Sequence, residues 1–397
     1  MSVAKSTIPA DFSLVDGGPM HRLMERVGLA KPGSERVLWR AITFALFTWL
    51  PLLIFSAIEG TALRGNANVP FLLDFTAYGR FLIAVPAMIV AEAYVGWRVA
   101  AAVRHFLSSG LVSNEDFPQF EAAVGEATKD RDSLAMELLL VGFIYAWAVV
   151  QILGAGELAI PGITWHGVTA EAGEKLNLAG WWFRLVSLPV FQFLWLRWIW
   201  RVVLWSKFLW HMSKLRLRLI STHPDSAGGL GFLGETHGEF AVIVFALGAV
   251  LSSVFARSIL FEKVPLSELR LPLAAFVLLC ILIFLGPLLL FVPMLYDVKR
   301  RGFLEYGAVA HMYTRQFDDK WVKGGAPEGE LILGSADVQS LADIGNSFEF
   351  VRRMTIVPFN KITVLKLTVA ALAPFLPLTF LIMPVNEVLK KLAQILL

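Results

Sequence analysis

Apolar residues run along this chain in seven blocks, at 37–58, 81–101, 134–153, 181–206, 240–261, 271–296 and 362–383, each separated from the next by polar stretches. A bilayer hydrocarbon core of roughly 30 Å needs about 20 helical residues, and helices of that length in soluble cores keep a polar face. These blocks keep none. The pattern therefore predicts an all-α, polytopic membrane protein of about seven transmembrane helices.

The polar stretches carry a second periodicity. Phe303, Tyr306, Ala310, Tyr313, Phe317 and Trp321 recur at spacings of three and four, which extends the sixth span beyond the membrane as an amphipathic helix. Gly324-Gly325-Ala326-Pro327 breaks it. A second helix over about 337–357 places Val338, Leu341, Phe348 and Val351 on one face, so 297–361 reads as a helical hairpin. After the last span, Val385, Val388, Leu389, Leu392 and Leu396 oppose Asn386, Glu387, Lys390, Lys391 and Gln394, the pattern of an interfacial helix. The expected organisation is a segment 1–36, a six-span bundle over 37–296 with a loop at 207–239, the hairpin 297–361, and a seventh span with the interfacial helix over 362–397. Proline falls inside most spans, and Gly286-Pro287 and Pro374-Phe375-Leu376-Pro377 are the expected kinks.

Composition agrees with this pattern: at 56% hydrophobic and 17% charged, the chain has too little polar surface to cover a soluble domain of its size. The net charge of +3 is not gathered into a stripe, which argues against a nucleic-acid partner. Basic residues cluster instead beside span ends, at Arg36 and Arg40, Arg98 and Arg104, Lys207 to Arg218, Lys299 to Arg301, and Lys361 and Lys366, all on one side. The positive-inside rule then puts the N-terminus in the cytoplasm and the C-terminus outside. The first 36 residues lack a secretory signal pattern. Cys280, the lone cysteine, lies in the sixth span, so no intrachain disulfide forms.

Charges inside the spans are the main functional clues, because an ionised group at bilayer depth needs a partner or water. Glu92 falls roughly 16 Å along the second span, near the midplane, and Gln192 reaches about the same depth in the fourth. Glu92 is a candidate proton- or cation-binding carboxylate. Arg197 and Arg201 share a face of the fourth span near its inner end, where Glu137 could pair with them and form an anion site.

The loop His223-Pro224-Asp225-Ser226-Ala227-Gly228-Gly229-Leu230-Gly231-Phe232-Leu233-Gly234 admits several interpretations. Gly229-x-Gly231-x-x-Gly234 matches a dinucleotide fingerprint without the βαβ unit it requires. His223, Asp225, His237 and Glu239 supply ligand types for a divalent metal, while Pro224 and the glycines alone suit a chain reversal. No other cofactor is expected. No hydrolase elbow, P-loop or helical H-E-x-x-H is present.

The stretch Ser340-Leu-Ala-Asp-Ile-Gly-Asn-Ser-Phe-Glu349, then Val351-Arg352-Arg353-Met354, Val357-Pro358-Phe359 and Met383-Pro384, is similar to the C-terminal part of uncharacterised bacterial multi-pass membrane proteins. The resemblance implies a bacterial inner membrane and carries no activity over. Three expectations follow. The first is movement of a small solute or ion across that membrane. The second is a membrane-anchored sensor or assembly scaffold, whose helices engage a cytoplasmic protein or a second copy of the chain. The third is a metal-dependent enzyme using the His223 loop.

Overall fold

The computed structural model describes residues 13–15, 17–26, 34–63, 69–154, 162–170 and 173–382. Its helices are α1 (Pro19–Arg26), α2 (Ser34–Ile58), α3 (Phe75–Ser108), α4 (Phe117–Arg131), α5 (Leu134–Gly154), α6 (Leu188–Met212), α7 (Phe232–Gly238), α8 (Ala241–Phe261), α9 (Arg270–Leu285), α10 (Val292–Phe317), α11 (Ala336–Arg353) and α12 (Lys361–Leu372). Among the described residues, six helical stretches are long and apolar enough to cross a membrane. The chain is an all-α, multi-pass membrane protein. Those six overlap six of the seven expected spans. The remaining one is α6 with its lead-in, where Arg184, Gln192, Arg197, Arg201 and several tryptophans lower the mean apolarity of a helix that is nonetheless 25 residues long.

Proline shapes the helices that carry the site. Pro86 and Pro189 each follow a turn of π-helix, Tyr78–Ala84 and Phe183–Ser187, in which the Val85 N–H reaches the Arg80 carbonyl and the Leu188 N–H reaches the Phe183 carbonyl. The wider turn lies where each proline ring would otherwise strike the carbonyl four residues back. At Gly286–Phe291 and Ala373–Phe375 the chain tightens into 3-10 turns at Pro287 and Pro374, the two expected kinks.

Small residues let the central helices meet. A Cβ on Gly79 would lie 2.5 Å from Ser253 Oγ and 2.9 Å from the Ala249 carbonyl, and one on Gly248 would lie 2.7 Å from the Ala371 carbonyl. Such contacts join α3 to α8 and α8 to α12 by close backbone approach, the usual source of helix association in lipid. By contrast α5 is peripheral and mostly exposed.

At one end, which we call the N-terminal face, lie α1, α4, α7 and a hairpin of α10 and α11. The hairpin is antiparallel: Lys299 Nζ donates to the Met354 carbonyl (2.6 Å), Phe303 meets Phe348 edge-on (5.5 Å), and Tyr313 Oη donates to the Asp337 carbonyl (3.1 Å). Helix α4 was not anticipated, although Phe120, Ala123, Val124 and Ala127 form its buried stripe. At the opposite end β1 (Gly162–Thr164), β2 (Gly167–Ala170) and β3 (Gly173–Leu176) form an antiparallel sheet where the sequence suggests only a loop. Strands of three and four residues are too short to show alternation. Trp165, in the turn between β1 and β2, is buried and donates Nε1–H to Asp74 Oδ2 (2.8 Å), fixing the sheet to the bundle. The interfacial helix expected after residue 383 and the first twelve residues lie outside the described residues.

Candidate functional site

Val85, Met88, Glu92, Val95 and Val99 fall on one buried stripe of α3, so the helix that packs these valines into the core takes Glu92 with them. On α6 the buried stripe is Leu194, Arg197, Trp198, Arg201, Leu204 and Trp205. On α2 it includes Arg40, Ala41 and Ala45. Where the three helices meet, four charged side chains converge: Arg40 is 7% exposed, Glu92 6%, Arg197 7% and Arg201 3%.

Glu92 holds the cluster together. Arg40 Nη2 donates to its Oε2 at 2.5 Å and Arg201 Nη1 to its Oε1 at 2.9 Å, while Arg197 Nη1 stays at 3.8 Å. The guanidinium of Arg201 also lies 4.8 Å from the centre of the Trp198 ring, and its Nη2 reaches the Val15 carbonyl (3.5 Å). Arg40 Nε is buried without a partner. Arg197 makes no hydrogen bond among the described residues. Guanidinium stays protonated in proteins, and burying each charge costs several kcal/mol even after relaxation. One carboxylate therefore cannot balance three arginines.

Both carboxylates near the cluster differ from expectation. Glu137 does not pair with Arg197 or Arg201; its Oε2 accepts the Met20 N–H (2.8 Å) and so serves α1 at its first turn. Glu92 is not at the midplane. It meets Arg40, only about 5 Å of helical rise inside the 37–58 span, so it lies near the N-terminal face. The difference arises because α3 runs from Phe75 to Ser108, longer than the bilayer requires, and apolar composition does not say which 20 residues are in lipid. Gln192 does not join the cluster, since it sits nine residues from Arg201 and a rotation of about 100° per residue turns it to the opposite side of α6. Arg40 was legible only as a topology signal; its position one turn inside a span was the clue to its burial.

A cavity of about 350 Å³ opens onto the cluster. Arg40, Glu92, Glu137 and Arg197 close its charged end, Met20 and Met24 of α1 cover that end, and α5, α6 and α2 supply apolar walls. A second cavity of about 20 Å³ lies on the other side of Arg197, beneath Leu14 and Val15. The segment before α1 is seated there: Arg131 Nη1 donates to the Ser13 carbonyl (2.5 Å), and Leu14 and Val15 are buried.

The expected metal ligands do not gather. His237 is buried, its Nε2 accepting the Trp205 indole N–H (2.9 Å) and its Nδ1 bonded to the Phe284 carbonyl. Glu239 faces Lys366 Nζ (3.1 Å) and Arg98 Nε (3.8 Å). Asp225 accepts the backbone N–H groups of Ala227 (2.8 Å), Gly229 (3.1 Å) and Gly231 (2.8 Å), and His223 Nδ1 lies 2.8 Å from it. Burial alone would raise the Asp225 carboxyl, but these N–H groups and His223 hold it below the usual carboxylate range. Among the described residues no group of three or more His, Cys, Asp or Glu could hold a metal ion. Nor do the glycines form a phosphate loop. Gly228 and Gly229 have φ of +66° and +98°, and a Cβ on Gly234 would lie 2.7 Å from the Pro358 carbonyl, so turning and close packing account for them. Compared with protein families, curated proteins and solved structures, the chain has no match.

Proposed function

We propose that this membrane protein takes up a small anion at the Arg40–Glu92–Arg197–Arg201 cluster and moves it through, or presents it within, a bacterial inner membrane. One observation carries this: Arg197 lines the cavity with no hydrogen bond of its own, in a cluster where three guanidiniums gather around the single carboxylate of Glu92. Both Glu92 oxygens are engaged by arginine, which favours an anion over the proton or cation first suggested for that carboxylate. Basic clusters beside the spans support a cytoplasmic N-terminal face and an external C-terminus.

A second reading, a scaffold for a cytoplasmic protein or a second copy of the chain, draws on the hairpin, whose connection exposes Leu331, Ile332 and Leu333.

Anion binding is testable by thermal unfolding of the purified chain in neutral detergent. A ligand that binds only the folded state raises the midpoint with concentration. Acetate or inorganic phosphate should do so relative to sodium chloride of equal ionic strength, and Arg197→Gln should abolish the response. Glu92→Gln should destabilise by about 3–5 kcal/mol, because it strands buried guanidiniums. A wild-type midpoint indifferent to both anions would overturn the proposal.

A further inference from the structure

The walls of the cavity say more about the ligand than its charged end does. Its lining on α5, Leu134, Leu138, Val141 and Tyr145, follows one helical stripe, and several of these residues are open to the outside: Leu138 is 61% exposed and Tyr145 43%. An apolar face this exposed on a membrane-length helix faces lipid, and the lining also includes Arg40 and Phe44 of α2, so a mouth between α2 and α5 would lead into the bilayer rather than into water. Along α6 and its π-helical lead-in it extends from Leu185 to Arg197, about 18 Å of helical rise, close to the roughly 15 Å of a single leaflet. Its charged end lies near the N-terminal face, the depth of a headgroup in that leaflet.

Charge and volume narrow the occupant. Counting Glu137, which lines the same end without pairing to Arg197 or Arg201, three guanidiniums against two carboxylates leave one positive charge unbalanced, which matches a head of one negative charge. At about 350 Å³ the cavity is at the small end of the roughly 300–1,000 Å³ of small-molecule sites, which suits a single slender chain. A free inorganic anion would leave the apolar stripe unused.

From this we infer that the cavity receives an anionic amphiphile, a singly charged head on one acyl chain, laterally from the leaflet at the N-terminal face. The inference rests on the anion reading above and adds the chain and the route. The head sits between Arg197 and Arg40, and the chain lies along Leu138, Val141, Val190 and Phe193. Arg201 is a positioning residue, held by Glu92 and Trp198 behind the site.

Spin-labelled stearate, added to the full chain in phosphatidylcholine nanodiscs, tests this. The expected spectrum has an immobilised component that saturates and is displaced by palmitate but not by the neutral hexadecanol. Arg197→Gln should weaken binding roughly tenfold or more, as expected for one lost charge-assisted hydrogen bond. Leu138→Trp, which fills an exposed wall position, should remove the component. A component that grows without saturating, equal displacement by hexadecanol, or persistence in both variants would overturn the inference. Loss of the immobilised component alone, with the acetate response retained in the wild type, would sink the amphiphile and leave the anion site standing. Absence of both would remove both.

Discussion

Asp225 does with one carboxylate what the sequence could equally assign to a metal. Its two oxygens gather three backbone N–H groups of the turn, and because these bind the ionised form its carboxyl titrates below the usual range. A depressed folded value means the contribution to stability is complete above the ordinary carboxylate value of about 3.9 and disappears as pH falls through the folded one. Hydrogen-exchange protection of the Ala227, Gly229 and Gly231 amides, corrected for intrinsic rates, should therefore hold between about pH 7 and 5 and collapse only below about 4. Asp225→Asn should lower it by about 1–2 kcal/mol at pH 7; unchanged protection would deny the carboxylate its role. Single residues were legible in type and not in partner. Glu92, Arg197 and Arg201 stood out because charge is rare in lipid, whereas Arg40 passed as a topology signal, and Gln192 was misjudged because depth alone ignores rotation about the helix axis.

Helices of membrane length were legible in approximate bounds, unlike α4, because an apolar run of bilayer length has few alternatives. Their contact faces were not. Gly79 and Gly142 are both glycines in apolar spans, yet Gly79 abuts Ser253 and the Ala249 backbone while Gly142 has nothing within 4 Å. Gly79→Leu should force α3 from α8 and lower stability by about 1–3 kcal/mol, the usual cost of overpacking, and Gly142→Leu should be neutral. Thermal unfolding in detergent would compare them, and equal midpoints would deny that the Gly79 contact holds the bundle. The π turns ahead of Pro86 and Pro189 were similarly hidden: proline announces a disturbance, but whether the helix kinks, tightens or widens is decided by its neighbours.

For the molecule as a whole, juxtamembrane charge makes a prediction that the fold itself does not settle. With Cys280 buried, cysteines introduced at Ser226 and Gly325 should react with impermeant thiol reagents only in permeabilised cells, and one at Gly167 should react in intact cells. Reversed labelling would invert the orientation. The seat of the N-terminal segment has a further consequence, for biosynthesis. Arg40 and Glu92 are 52 residues apart, so the first two spans can enter the membrane as a paired hairpin with one charge cancelling the other. Arg201 follows 109 residues after Glu92 and meets a carboxylate already in place. Val15 is 186 residues from Arg201, its hydrogen-bond partner, and at roughly 5–20 residues per second the ribosome needs on the order of 10–40 s to supply it. The earliest-made part of the described chain would thus be among the last to dock, and until the fourth span arrives the nascent protein would hold this end of the bundle open.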